Sequence, residues 1–400
     1  MGQLVQIAPA DQLQQASLFP ALFEFPASTP AKPRTATVAL TPEVEDMLKR
    51  NCVVAIGVSG GKDSQACAIA VARHLDSIGH TGPRVLIHSD LGSIEWRESL
   101  PTCEHLAAHL GWELIVVRHK SGGLMERFLT RWRNNVARYE DLRCVKLILP
   151  FSTSGMRFCT SDLKNGPISR ELRKRFPHEA ILNVTGIRRQ ESKKRSEMPV
   201  SKIEAGLTRK KADTGMTWNA IIEWPIEDVF ACIADDGLCL HEAYTKYGTT
   251  RVSCVYCVLA RRSDLVAAAT CADNHAIYVQ LVELEATSTF SFQTKWLADV
   301  APHLLSEELR QRIQKAKLVA EERKQLEKRI PKRLLYTKNW PTAIPTLEEA
   351  EVIAEIRRKV SAAVGLNARY LTGPEVRDRY IELYEKKHGS LLSTCAEEAA

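Results

Sequence analysis

Apolar positions along the chain fall into two regimes. From Cys52 to about residue 222, short continuous apolar runs alternate with longer segments of helical spacing. Cys52-Val53-Val54-Ala55-Ile56-Gly57-Val58 is apolar throughout, as expected of a strand buried on both faces. Arg84-Val85-Leu86-Ile87-His88-Ser89-Asp90 and Glu113-Leu114-Ile115-Val116-Val117 predict a second and a third strand. Ala180 to Thr185 predicts a fourth, and Asn219 to Ile222 a fifth. Helices are expected over 64–75 and 95–110, and a short one at Thr41-Pro42-Glu43-Val44-Glu45, with an N-cap, Pro at the first position and early acids. Strands alternating with helices predict βαβ units: an α/β, doubly wound, Rossmann-like parallel sheet. After about residue 262 the strand signal stops. Helices are expected over 275–298, 303–329, 346–363 and 374–388, broken by Pro331, Pro341 and Pro345.

Three regions follow from this pattern. Residues 1–40, with five prolines and no sustained period, read as an extended arm. Residues 41–262 read as an α/β domain and 263–400 as a helical C-terminal region. A length of 400 residues suits two or three domains. Hydrophobic residues make up 44% and charged residues 26%, enough to bury a core. No apolar run approaches the roughly 20 residues needed to cross a bilayer. Met1-Gly2-Gln3-Leu4 does not open a secretory signal, so the expected location is cytoplasmic, away from membranes. The formal charge of +7 permits a polyanionic partner without requiring one. Eleven cysteines without an export signal do not read as a disulfide framework.

Ligands of parallel sheets bind beyond the carboxyl ends of the strands. The first strand runs there into Ser59-Gly60-Gly61-Lys62-Asp63-Ser64 and a helix. Glycines let backbone N–H groups approach phosphate oxygens, the helix N-terminus adds donors, and Lys62 adds a cation. Asp63 after the lysine rules out a Walker A loop. Asp90 ends the second strand, either as a capping residue or as a ligand-side acid, and Gly186 leaves the fourth.

Two further blocks carry guanidinium groups suited to oxyanions. One is Arg157-Phe158-Cys159-Thr160-Ser161-Asp162-Leu163-Lys164-Asn165-Gly166-Pro167. The other is Gly186-Ile187-Arg188-Arg189-Gln190-Glu191-Ser192 with Arg195 behind it, followed by Trp224-Pro225-Ile226-Glu227-Asp228. Taken in order over about residues 50–262, the loop and these blocks resemble the phosphoadenosine phosphosulfate (PAPS) reductase branch of the PP-loop ATP pyrophosphatases, or adenine nucleotide α-hydrolases. The resemblance implies that Ser59 to Ser64 hold the pyrophosphate of ATP with Gly186 and Arg188. It implies catalytic roles for Lys62, Asp63 and Arg188, and a place for Asp90 near the nucleotide or Mg²⁺. Arg157, Lys164, Arg189 and Arg195 are the expected oxyanion or substrate contacts.

Cys254-Val255-Tyr256-Cys257 has metal-ligand spacing. It resembles the CxxC of adenylylsulfate reductases and DNA phosphorothioation sulfurtransferases, where the pair helps hold a 4Fe–4S cluster. That resemblance implies Cys159, Cys254 and Cys257 as ligands. Phe158 stands where adenylylsulfate reductases have a second cysteine, which leaves a fourth ligand open. Cys144, Cys239 or Cys271 could supply it, or one iron stays open; zinc and a redox dithiol are the plainer readings.

The reductases without a cluster have degraded loops and end in a Glu-Cys-Gly-x-His motif. This loop is intact and the tail reads Ser393-Thr394-Cys395-Ala396-Glu397-Glu398. The expectation is therefore an ATP-dependent sulfurtransferase that adenylates an acceptor, with a DNA phosphate as a candidate and a cysteine desulfurase or other sulfur donor as partner. Ten Lys/Arg against three Glu between Arg310 and Arg333 suit a phosphate backbone or a solvated helix equally. The alternatives are a PAPS or adenylylsulfate reductase, a nucleotide-binding defence or scaffold protein without turnover, and an adenylyltransferase of the FAD synthetase type.

Overall fold

The computed structural model describes residues 37–208 and 215–389. The arm expected over 1–40, apart from its last four residues, and Cys395 lie outside the described residues. The sheet consists of β1 (Val53–Val58), β2 (Arg84–Asp90), β3 (Glu113–Arg118), β4 (Ile181–Val184), β5 (Ser201–Ile203) and β6 (Gly215–Trp218). Their order is β3-β2-β1-β4-β6-β5, parallel except for β5, which runs antiparallel to β6. The central strand is the most apolar: Val53, Val54, Ala55 and Ile56 have no exposed surface. Strands buried on both faces are read as continuous apolar runs for this reason.

The order changes direction at β1, with β2 on one side and β4 on the other. The crevice at that switch point is where such sheets place a ligand. Helix α2 (Lys62–Ser77) starts there, directly after β1. Helices α3 (Ser99–Leu110), α4 (Leu124–Glu140), α5 (Gly166–Arg175) and α6 (Ile226–Asp235) complete the layers, after α1 (Pro42–Lys49). Thr41 caps α1 by accepting the Val44 N–H, and Pro42 opens it.

One expected strand is absent, and two elements carry no clear signal in the sequence pattern. Asn219 to Ile222 is no strand; β6 ends at Trp218 and residues 219–224 form tight turns closed by Ile222 N–H to Asn219 O and Trp224 N–H to Ile221 O. Ala220, Ile221 and Ile222 are fully buried, so the apolar signal was that of a buried turn. The edge strand β5 is only Ser201-Lys202-Ile203, too short for period-2 patterning to register. Helix α4 lies outside the expected elements, and Phe128, Trp132 and Tyr139 face the core from it at helical spacing.

Beyond the sheet, α7 (Arg262–Ala269), α8 (His275–Ser288), α9 (Glu307–Lys328), α10 (Leu347–Val364) and α11 (Gly373–His388) are helical. One apolar core joins them to α4, to residues 142–163 and to Val252, Val255 and Tyr256. Arg357 is fully buried in it. Its guanidinium donates to Tyr139 O (2.9 Å) and Glu140 O (3.2 Å), the carbonyls at the end of α4, and to Tyr370 O (3.2 Å). A cation at the negative end of a helix is favourable electrostatically, and here it ties α4 to the α10–α11 link.

Helix α8 stops at Ser288, ten residues short of the expected end, because Thr289 takes a left-handed conformation (φ 57°). The chain that follows is pinned by Glu285, which has no exposed surface. One carboxylate oxygen accepts the Phe292 (2.6 Å) and Leu297 (2.8 Å) N–H groups and the other accepts Ala298 N–H (3.0 Å). Burial raises its pKa to about 7, against the opposing effect of those three amides.

Among the described residues no helix is long and apolar enough to cross a membrane.

Glu285→Ala orphans three buried N–H groups, each costing about 1–3 kcal/mol. The expected result is a melting midpoint lower by roughly 5 °C or more in calorimetry; an unchanged midpoint contradicts the pinning role.

Candidate functional site

The loop after β1 closes on itself. Ser64 Oγ donates to Gly61 O (2.8 Å) and accepts the Ser59 N–H (3.4 Å). Gly60 needs its left-handed φ of 72°, and a Cβ there would lie 3.0 Å from Ser99 O and 3.2 Å from the His241 ring. His241 is buried, and burial lowers its pKa to about 4, so the ring is neutral. Its Nδ1 accepts the Ala243 N–H (3.0 Å), which leaves the proton on Nε2, 3.4 Å from Ser99 Oγ.

Lys62 and Asp63 start α2. Lys62 is 4% exposed and Arg188, arriving from β4, 3%. Asp63 lies between them: Lys62 Nζ is 2.8 Å from Oδ2 and Arg188 Nε 2.6 Å from Oδ1. Burial pushes the Asp63 pKa up, but the two cations outweigh it and hold the carboxyl below its usual range. Arg188 is held further by Gln190 Oε1 (2.9 Å) and Trp224 O (3.3 Å). A Cβ on Gly186 would sit 2.4 Å from Asp63 O. The exit of β4 therefore packs on the loop backbone with no room for a side chain.

At the end of β2, Asp90 accepts the Gly92 N–H (2.7 Å) and pairs with Arg118 (3.4 Å). This is a local turn at the strand end: Leu91, not Asp90, occupies the N-cap of the short turn Gly92–Ile94, which no side chain caps. The neighbouring Ser89 Oγ donates to Leu163 O (2.7 Å), which attaches the Cys159–Lys164 block to this rim. His88 is buried, with Nδ1 3.1 Å from Val58 O and Nε2 3.3 Å from Glu95 Oε2. Burial opposes its charge, but Cys103 and Glu95 overcome that and raise its pKa to about 10. Both ring nitrogens facing oxygens agrees with an imidazolium that donates twice.

Glu95 then leads to the cysteines. Its backbone bridges Cys254, and Val255 N–H donates to Ile94 O (2.8 Å). Cys159, Cys254 and Cys257 are each partly exposed. Burial pushes the Cys254 thiol up to about 12; Lys164 pulls against that, and Cys257, Glu95 and Cys159 add to it. The three thiols and Lys164 therefore share one neighbourhood. Their soft donor chemistry suits a thiophilic metal or cluster. Among the described residues, however, no group of three or more His, Cys, Asp or Glu is already drawn together as a metal cage. Gln293, from the chain pinned by Glu285, donates to Cys257 O and Ala260 O, both at 3.1 Å, and fixes the turn after the CxxC.

The remaining expected contacts stand apart. Arg157 is exposed. Arg189 is used structurally: it pairs with Glu223 (2.8 Å) and donates to Ser196 O and Met198 O. Arg195 pairs with Glu191. Most of the basic residues in 310–333 have partners: Arg310 pairs with Glu307, Lys317 with Asp299, Lys324 with Glu321, Arg329 with Glu355 and Arg333 with Glu349. Arg323 is buried beneath Phe290 and beside Glu327 (3.4 Å).

Sequence reasoning assigned no role to His88, Glu95, His241 or Tyr244. Tyr244 Oη accepts the N–H groups of Lys62 (3.3 Å) and Val252 (3.1 Å) and so spans the loop and the cysteine segment. No spacing rule announces such a bridge.

The sequence profile of the phosphoadenosine phosphosulfate reductase domain matches residues 53–260, just over half of the chain. The chain belongs to that family. Every residue of the site, from β1 through the CxxC, falls inside the matched span. The chain is also similar to the crystal structure of phosphoadenylyl-sulfate (PAPS) reductase from Candida auris in its phosphate complex. The two are 14% identical over 55% of this chain and 97% of that one, with a TM-score of 0.33. No curated protein matches the chain.

Two predictions come from this geometry. Gly186→Ala forces the loop and the β4 exit apart and lowers the melting midpoint, whereas Gly155→Ala, with open space around it, leaves the midpoint unchanged. Equal midpoints for the two variants would show that the contact is slack. His88 has a folded pKa of about 10, above the roughly 6.5 of an unfolded chain. Its contribution is therefore complete below pH ~6.5 and disappears as pH rises through 10. Denaturant titrations from pH 7 to 10 are expected to show a decline in wild-type stability that His88→Gln flattens; parallel slopes contradict the charged ring.

Proposed function

We propose that the chain is an ATP pyrophosphatase of sulfur chemistry, an ATP-dependent sulfurtransferase. The observation that carries this reading is the intact phosphate loop with its buried Lys62–Asp63–Arg188 ion chain at the switch point of the sheet. A loop that serves only a substrate without a triphosphate has no need of this apparatus.

In this reading ATP places its β and γ phosphates on the N–H groups of the loop and the start of α2. Lys62 neutralises charge on the departing pyrophosphate. Asp63 orients Lys62 and Arg188, so that both cations face the phosphates rather than each other. An acceptor oxygen attacks the α-phosphorus, the bond from that phosphorus to the bridging α–β oxygen breaks, and pyrophosphate leaves. A sulfur nucleophile then displaces AMP from the activated acceptor. Asp90 is the candidate for water-mediated contact with Mg²⁺, and Arg157 and Lys164 for contact with the acceptor.

Cys159, Cys254 and Cys257 would hold a 4Fe–4S cluster, which would supply a thiophilic site for sulfur when bound. Lys164 near Cys254 offsets the negative charge that thiolates accumulate. A cysteine desulfurase is the proposed sulfur source. A DNA phosphate is one candidate acceptor, and α9 offers it little, since its basic residues are largely paired. Family membership gives the second reading, reduction of a sulfonucleotide at the same rim.

Lys62→Ala removes a cation that is 2.8 Å from its carboxylate partner. Pyrophosphate release from MgATP, followed with a pyrophosphate-coupled assay on protein prepared without oxygen, is expected to fall by at least about a hundredfold, the scale for losing one transition-state donor. Wild-type protein that is inert to ATP yet reduces PAPS or adenylylsulfate would replace this reading with the second one.

A further inference from the structure

The phosphate loop and the cysteine segment come from distant parts of the sequence, yet they meet at one hydroxyl. Tyr244 Oη accepts the Lys62 N–H at 3.3 Å and the Val252 N–H at 3.1 Å. Lys62 N–H belongs to the first turn of α2, the set of amides that a phosphate would take up. Val252 lies two residues before Cys254. The contact is close on both sides: a Cβ on Gly61 would lie 3.4 Å from Val252 O and 3.6 Å from Tyr244 Oη. Lys62 Nζ is also 5.4 Å from the centre of the Tyr244 ring. Thr249 supports the same turn, donating its hydroxyl to Ala243 O (2.8 Å), with its N–H on the same carbonyl.

The chemistry of this hydroxyl is unusual. Burial pushes its pKa up, so it keeps its hydrogen. Both oxygen lone pairs are occupied by amides, and among the described residues no group accepts the hydroxyl hydrogen itself. An anion on the loop would supply that acceptor. It would also compete with Tyr244 for the Lys62 N–H.

We propose that Tyr244 is a positioning residue that couples occupancy of the phosphate loop to the order of the cysteine segment 250–257. This rests on the reading that the loop binds a nucleotide triphosphate. A phosphate oxygen accepts the Tyr244 hydrogen and takes a share of the Lys62 N–H. The hydroxyl is then held mainly by the phosphate and Val252, and the cysteine segment tightens against the loaded loop. Coupling of two sites is reciprocal, so whatever orders the cysteine segment strengthens nucleotide binding by the same factor. Sulfur chemistry at the thiols would in this way be matched to the presence of the nucleotide that activates the acceptor.

The test is amide hydrogen exchange on the full chain, with and without α,β-methylene-ATP and Mg²⁺, for wild type and Tyr244→Phe. Affinity for the same nucleotide is measured by calorimetry. Phenylalanine keeps the ring and removes only the hydroxyl. In wild type the nucleotide is expected to slow exchange at Val252 and across 250–257. In Tyr244→Phe affinity falls by about two- to tenfold, the scale of one uncharged hydrogen bond, while the nucleotide-dependent protection of 250–257 disappears. Nucleotide-dependent protection that survives in full in the saturated variant overturns the proposal. Should wild type bind no nucleotide, the loop assignment falls and the coupling falls with it. The bridge itself is then read in the nucleotide-free proteins: Tyr244→Phe must speed exchange at Lys62 and Val252 together, and exchange unchanged at either amide refutes the bridge as well.

Discussion

Asp63 is the residue on which the site depends. Its carboxylate is confined between two cations that are themselves almost without solvent contact, Lys62 from its own helix turn and Arg188 from the far side of β1. A buried charge is tolerated only when paired and hydrogen-bonded. Removing any one of the three strands the others. The ion chain therefore holds the exit of β4 to the loop after β1, and Gly186 permits the backbone approach that this requires. The switch point of the sheet becomes a fixed cationic cradle rather than an open cleft.

A second layer of contacts carries that order outward. Ser99 and His241 buttress Gly60, and Tyr244 joins the loop to Val252. His88 ties Val58, the last residue of β1, to Glu95, whose backbone bridges Cys254. Glu285 and Gln293 brace the CxxC turn from the helical side. The cysteine neighbourhood is thus held on one side by the parallel sheet and on the other by the C-terminal helices. This gives those helices a role that does not need their basic surface.

Much of this was legible in the sequence. The loop, Gly186 and Arg188 stood out because glycines, a helix start and cations follow strand ends in a set order, and the fold brings them together at one rim. The parallel sheet was legible from buried apolar runs such as Val53–Val58. Other parts were not, for physical reasons. Ala220-Ile221-Ile222 is as apolar as a strand because a buried turn faces the same solvent exclusion. Arg189 looked like an anion ligand beside Arg188, but Glu223 and two carbonyls take up its fork. Arg323 counted toward a basic helix while lying inside the core. Tyr244 and Glu95 act through contacts that only the folded chain creates.

The central claim is that this loop cleaves ATP between the α and β phosphates. Phosphorus-31 NMR of the protein, prepared without oxygen and incubated with MgATP, reads the position of cleavage directly. The account predicts resonances of AMP and pyrophosphate growing in equal amounts, with acceptor and sulfur source raising the rate. ADP with orthophosphate, or an ATP spectrum unchanged in the presence of acceptor and sulfur source, would contradict it.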